Sequence, residues 1–349
     1  MNYILFDPPN IERFYPFALT RPLGEMRILG GTIKKNWEKI INQKVSYLTA
    51  SHLSDLYPVN WESENILIPS ICFPSQANLK KYGISSSECD LNVIQTKWIS
   101  FKKDNNLIYK DLIDFIFNTQ NNRFFLREKS TIDCSKKPFL NDDDGPIVIE
   151  EDVTIMEGAM IRGPVHICKG SVIKMGAKIY GPTVIGPYSK IGGEVSRCVF
   201  LGYSNKAHEG FLGDSIIGEW CNIGAGTSNS NLKNNYDTIK MWDYCEHKFK
   251  DSGQRFLGMY MGDHSKCAIN TSFNTGTTIG VNCNIFGTGF PRNYIPSFSW
   301  GGPSGYKEYN IEKSIQTAKI VMKRRNVEMS FEYEKMLRKV FDMTANFRI

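Results

Sequence analysis

From residue 149 to residue 191 an isoleucine returns at every sixth position: Ile149, Ile155, Ile161, Ile167, Ile173, Ile179, Ile185 and Ile191. A step of six fits neither the 3.6-residue period of a helix nor plain two-residue alternation carried over such a length. It fits a solenoid in which each short strand sends one branched side chain inward. Glycine and proline then turn the corners, at Gly158, Gly163-Pro164, Gly170, Gly176, Gly181-Pro182 and Gly186-Pro187. The stretch reads as a parallel β-helix and the chain as mainly β. The step recurs at Ile217 and Ile223, then at Met261, Cys267, Phe273, Ile279 and Ile285. It breaks briefly after Leu201, around YSNKAHEGFLGD (203–214), and lapses from Ser228 to about Gln254. That polar segment is too long for an ordinary connection and reads as a functional insertion.

The flanks differ in kind. Residues 1–130 read as a small α/β unit, with NYILFD and NILIPS as strands and LGGTIKKNWEKIIN and YKDLIDFIFN as helical stretches. An Asp-Asp-Asp-Gly-Pro turn at 142–146 marks the passage into the solenoid, which is assigned residues 131–300. In residues 301–349, Ile311, Ile315, Ala318, Ile320 and Val321 fall at helical spacing, and Phe331 to Phe341 forms a second helical stretch. These helices are predicted to cap the solenoid's open end, which would otherwise expose strand edges.

Composition narrows the function. No apolar run approaches the roughly 20 residues of a membrane span, and MNYILFDPP lacks the basic start and long apolar core of a signal peptide. A cytoplasmic protein without membrane insertion is expected. The nine cysteines are widely spaced, with no CxxC pair, which argues for reduced thiols and against a disulfide framework or a structural zinc site. No metal ligand set is predicted. The net charge of +6 is spread along the chain apart from Lys323-Arg324-Arg325. That excludes the dense basic patch of a nucleic-acid binder and suits small anionic ligands.

The repeat, followed by NKAHEGFLGDSIIGEWCNIGAGTSNSN (205–231), resembles the left-handed β-helix acyltransferase domain of the GlmU-type bifunctional family. That family joins glucosamine-1-phosphate N-acetyltransferase to N-acetylglucosamine-1-phosphate uridylyltransferase activity. The segments IMEGAMIRGP, KMGAKIYGPT, SNLKNNY, MGDHSKCAINTSFNTGT and IPSFSWGG resemble a bacterial group of sugar nucleotidyltransferases within it. The resemblance implies a left-handed coil, a homotrimer, and acetyl-CoA lying between neighbouring subunits. It implies His208 as general base, Asn231 beside the acetyl group, and Asn222 on the sugar phosphate. It further implies Ala225, Asp263 and Gly287 along the acyl-CoA, and Arg197, Lys206 and Lys233 as basic groups near phosphate. The chain departs from the pattern at Phe211, where the family carries a tyrosine, and at NLKN, where it carries NYDG.

The chemistry is coherent with those residue types. An amine must be unprotonated to attack a thioester, and an imidazole titrating ordinarily near 6.5 takes that proton at physiological pH. The tetrahedral oxyanion then needs a pre-placed donor such as an Asn amide. The plainer alternatives are a solvated corner histidine at 208, rung or surface positions for His166 and His264, a corner ladder for Asn229, and a solvated helix face for Lys323-Arg324-Arg325.

A second class of function attaches to the N-terminal unit. TRPLGEMRILGGTIKKNWE (20–38) resembles the start of sugar-phosphate nucleotidyltransferases of the UDP-N-acetylglucosamine diphosphorylase or glucose-1-phosphate thymidylyltransferase type. Thr20 and Arg21 would then contact nucleotide, with Mg²⁺ required. The turn those enzymes need is glycine-rich, because backbone N–H groups cradle the phosphates. Here it is DPPNIERFYP, with three prolines. A non-catalytic trimeric scaffold is the third class.

Overall fold

The computed structural model describes residues 1–28, 31–74, 76–82, 125–126 and 138–348. The stretch YKDLIDFIFN and residue 130, where the first unit was expected to end, lie outside them, as do Cys89 and Cys134.

The isoleucine repeat builds a three-faced parallel solenoid. The first face has nine strands, from Phe125–Leu126 and Ile147–Ile149 through Val199–Gly202, Ile216–Glu219 and Met259–Met261 to Tyr294–Ile295. The second begins at Thr154–Ile155 and ends at Ser299–Gly302, to which Gly305–Glu308 adds antiparallel. The third runs from Phe139–Asn141 to Phe211–Gly213, and Ser228–Asn229 pairs with Ser272–Phe273 as a separate ladder. Strand pairing stacks Ile149, Ile167 and Ile185 in one inward column, Ile155, Ile173 and Ile191 in a second, and Ile161 and Ile179 in a third. All eight isoleucines are buried, each worth roughly 1.5–3 kcal/mol of apolar transfer. Leu140 and Tyr306, partly buried, pack against this core.

The N-terminal unit has a three-stranded parallel sheet of Asn2–Phe6 between Val45–Leu48 and Asn65–Pro69. Helix α1 (Ile33–Ile41) starts on Thr32, whose side chain accepts from the Lys35 N–H, and ends on left-handed Asn42. A short helix α2 (Gln76–Lys81) follows. The proline-rich stretch after the first strand winds through 3-10 turns at Ile11–Phe14, Phe17–Leu19 and Leu23–Glu25. Phe14, Phe17 and Leu19 are buried in one cluster with Val199, Leu201, Ile216 and Tyr260 of the solenoid's first face. This stretch is therefore a packing wedge, and the unit shares a core with the solenoid.

Helices α3 (Ile311–Lys323) and α4 (Phe331–Met343) form as the spacing predicts, opened by Asn310 and Ser330 caps. Their placement corrects the capping expectation. They lie along the edge between the first and second faces: Arg325 donates to the Tyr188 carbonyl, Tyr333 meets His264, and Phe341 packs edge-on against Phe298. The last strand's edge is covered by Gly305–Glu308 instead. The insertion after Ser228 is an ordered antiparallel hairpin of Lys240–Asp243 with Lys248–Asp251. Its Tyr244 packs on Tyr15, ring centroids 5.5 Å apart.

Candidate functional site

His208, Ala225, Gly287, Arg197, Asn231 and Lys233 fall on edges where faces of the solenoid meet. His208 stands on the edge between the second and third faces, after Asn205–Lys206 and before Phe211–Gly213, and is exposed. The same edge carries Ala225 one rung on, then Ile269, then Phe286 and Gly287. Ile269 and Phe286 are exposed apolar residues, 67% and 40% accessible. At about 4.8 Å per rung, the track from His208 to Gly287 is roughly 15 Å long. Asn222 projects from the second face beside it. Its amide oxygen is 3.4 Å from Asn205 Nδ2, and Asn205 in turn accepts from Arg325 Nη2 at 2.8 Å.

Arg197 and Asn231 lie on a different edge, between the third and first faces, and both converge on Asp214. Arg197 donates to it through Nε at 2.6 Å and Nη2 at 2.7 Å, and Asn231 Nδ2 donates at 2.6 Å. The guanidinium also lies 5.4 Å from the centre of the Phe256 ring. Asp214 holds the Arg197 pKa above its ordinary value, with burial opposing. A face of three strand residues separates this edge from His208, so one chain does not bring the two together. Asp214, to which the sequence analysis assigns no role, is the residue that orients both neighbours.

Further along this same edge the insertion hairpin forms an open cleft of about 750 Å³, lined by Lys233, Lys240, Phe249, Thr275, Arg292 and Asn293. Lys233 Nζ donates to the Thr238 carbonyl at 2.8 Å. Three cations facing one cavity make an anion-attracting surface. Lys240 and Arg292 carried no motif that marks them in sequence.

Lys206, expected near phosphate, and Asn229, read as a corner amide, are interior residues. Lys206 pairs with Ile191 in the inward column and is 2% exposed. Its ammonium donates to the Gly192 carbonyl at 2.9 Å and to the His208 carbonyl at 2.8 Å. Asn229 pairs with Phe273 and exchanges hydrogen bonds with the Gly213 main chain. A direct phosphate contact from Lys206 is thereby corrected, because its charged end points into the solenoid.

Burial pushes the Lys206 ammonium down from 10.5 to about 8, with Glu209, Cys198 and Glu194 pulling the other way. Unfolded chain keeps the proton to higher pH, so this group's penalty on folding is full below pH 8 and gone above about 10.5. The stability difference between Lys206→Met and wild type, from urea titrations, should therefore shift in the wild type's favour by up to about 3 kcal/mol over that window. A pH-independent difference would show that the ammonium is not desolvated.

Thr20, Arg21 and Asp263, expected on nucleotide and acyl-CoA, are spent on one another. Thr20 Oγ1 donates to Asp263 at 2.8 Å, Arg21 pairs with the same carboxylate and with Glu219 at 3.2 Å, and Asp263 also accepts the Glu219 N–H. Thr20 is 2%, Arg21 5% and Asp263 1% exposed. A buried guanidinium needs carboxylate partners, and the solenoid supplies them. At the carboxyl end of the N-terminal sheet, where α/β ligands bind, Asp7 accepts from the Leu23 N–H and the Thr49 hydroxyl. These residues do not fit a Mg²⁺–nucleotide site.

His166 and His264 are rung residues, whereas His52 lies in the N-terminal unit and His247 in the turn of the hairpin. His264 is buried against Trp220 in a stack with Tyr203 and Tyr188, and burial holds its pKa well below the ordinary value. His166 is buried beside Glu150, 3.0 Å away. Glu150, His166 and Cys168 place three donor atoms within 4.8 Å of one another, but the second Glu150 oxygen accepts the Lys169 N–H. Cys168, Cys198, Cys221, Cys267 and Cys283 are free and buried, and Cys72 and Cys245 free and partly exposed.

Comparison with known proteins matches both modules. Residues 3–86 match the sugar nucleotidyl transferase family model, and residues 146–181 match that of bacterial transferase hexapeptide repeats. A bifunctional sugar-1-phosphate nucleotidylyltransferase/acetyltransferase of Sulfurisphaera tokodaii is 36% identical over 144 residues, 41% of this chain and 35% of that protein. The bifunctional protein GlmU of Methanocaldococcus jannaschii is 34% identical over 148 residues, 40% of this chain and 35% of its own. The alignments thus span about a third of each relative's length. A UDP-N-acetylglucosamine acyltransferase structure from Campylobacter jejuni superposes with a TM-score of 0.22 at 13% identity, covering 61% of this chain and 95% of that one, too weak to carry an argument. Among the described residues no helix is long and apolar enough to cross a membrane.

Proposed function

We propose that the chain is an acetyl-CoA-dependent N-acetyltransferase acting on an amino-sugar 1-phosphate of the glucosamine 1-phosphate type. The observation that carries this is the edge on which an exposed His208 is followed, rung by rung, by Ala225, Ile269 and Phe286–Gly287. An extended acyl-thioester arm lies along such an apolar track with its reactive end at the imidazole. His208 takes the proton of the attacking ammonium, Asn222 contacts the sugar phosphate, and the anionic remainder of the ligands is drawn by Lys233, Lys240 and Arg292 of a neighbouring copy. Similarity to GlmU-type proteins supports the same reading, and with it a cytoplasmic homotrimer.

In this reading the site is shared between subunits. Asn231, held by Asp214 beside Arg197, is on the wrong edge to meet His208 of its own chain. A neighbouring copy presents that edge, so Asn231 of one copy serves the oxyanion formed beside His208 of the next.

The test is release of free CoA from acetyl-CoA with glucosamine 1-phosphate, run beside pyrophosphate release from UTP or dTTP with Mg²⁺ and a sugar 1-phosphate as the attacking acceptor. The first is expected and the second is not; a scaffold would give neither. Sharing has its own signature: His208→Ala and Asn231→Ala proteins, each inactive, recover about a quarter of wild-type turnover when unfolded together and reassembled, as random assembly around a threefold axis dictates. No recovery in trimers shown to be mixed would place both residues in one chain's site.

A further inference from the structure

We propose that Lys206 is a positioning residue, whose ammonium inside the solenoid clamps the His208 main chain to the rung below and so sets where the imidazole stands.

Strand pairing places position 206 in the column of Ile155, Ile173 and Ile191, where an apolar side chain would pack best. A lysine there sacrifices hydration of its charge. What it obtains is a pair of carbonyls on two successive rungs, Gly192 below and His208 on its own. Space for the ammonium comes from Gly192-Gly193. A Cβ on Gly193 would sit 2.7 Å from Lys206 Nζ and 2.7 Å from the His208 oxygen, and Gly193 has a φ of +68°, which favours glycine. The rung above fixes only the following residue, through the Gly226 N–H to the Glu209 carbonyl at 2.9 Å. Among the described hydrogen bonds, the His208 carbonyl has Lys206 alone as its donor. His208 is exposed, so its place depends on main-chain anchoring at the corner and not on side-chain packing.

The turnover consequence rests on the acetyl-transfer reading; the structural one does not. In Lys206→Met, kcat is expected to fall about 10- to 100-fold, as small misplacements of a catalytic group do, with KM for acetyl-CoA within about twofold. Independently of any substrate, the His208 Cε1–H signal, assigned by its absence in His208→Ala, is expected to move in Lys206→Met while the other histidine signals stay. An unmoved His208 signal, or a kcat within twofold of wild type, overturns the proposal. If the wild type releases no CoA, the acetyl-transfer reading fails and the imidazole signal alone decides on Lys206. Should the methionine variant not fold, the same measurements on Lys206→Leu, which fills the inward column and leaves the His208 carbonyl without its donor, decide in its place.

Discussion

Replacing His208 by alanine is expected to lower CoA release by about two to four orders of magnitude, the range that removal of a general base produces. The reacting ammonium must lose a proton before or as it attacks, and His208 is an imidazole exposed on the edge that carries Ala225 and Gly287. The fold should be untouched, because the imidazole is exposed and the corner is held through main-chain groups, by Lys206 and by the Gly226 N–H. Steady-state assays on protein with an unchanged urea midpoint would check this. A variant that still releases CoA at the wild-type rate would remove His208 from the mechanism, and the edge would then be a binding track only.

The solenoid was legible because its physics is periodic. Each inward isoleucine fills the volume one rung above the isoleucine three repeats before it, so the sequence repeats wherever the packing does, and Gly or Pro recurs at many of the turns. Polar interior positions escaped for the complementary reason. Lys206 and Asn229 occupy inward columns, but a lysine or asparagine in a polar stretch reads as solvated. The available signal was arithmetic: Lys206 stands six before Leu212 and six after Phe200, next to a Gly192-Gly193 pair that leaves room for its end.

Contacts between distant segments left no local trace at all. Arg21 and Asp263 are 242 residues apart, so the motif TRPLG could be matched to nucleotide chemistry without any hint that a solenoid carboxylate claims its arginine. The terminal helices were predicted correctly as helices, yet their apolar stripe fits the flank of the coil as well as its end. Which of the two it covers is settled by Tyr333 meeting His264 and Arg325 meeting Tyr188. The insertion was visible as a loss of period, whereas its cationic cleft arises only once the hairpin folds back beside Thr275 and Arg292.

Removing the Asp263 carboxylate should release the N-terminal unit from the solenoid. In Asp263→Ala the Arg21 guanidinium keeps only Glu219, at 3.2 Å, and the Thr20 hydroxyl and the Glu219 N–H lose their acceptor. Breaking a buried ion pair on one side costs about 3–5 kcal/mol, a large share of the 5–15 kcal/mol that commonly holds a protein folded. The loss should concentrate at the junction, because Thr20 and Arg21 follow directly on the wedge of Phe14, Phe17 and Leu19. Hydrogen exchange over residues 11–28 is expected to accelerate ahead of the solenoid strands, with the urea midpoint falling. Arg21→Met combined with Asp263→Leu should recover part of the stability, since it removes both buried charges and leaves only the partly exposed Glu219 without its partner. Equal destabilisation of the double and single variants would mean that packing, and not the ion pair, sets the junction. UTP with Mg²⁺ should protect neither protein against urea, because a ligand stabilises only a fold that binds it. Protection of the wild type that disappears in Arg21→Met would return Arg21 to a nucleotide site.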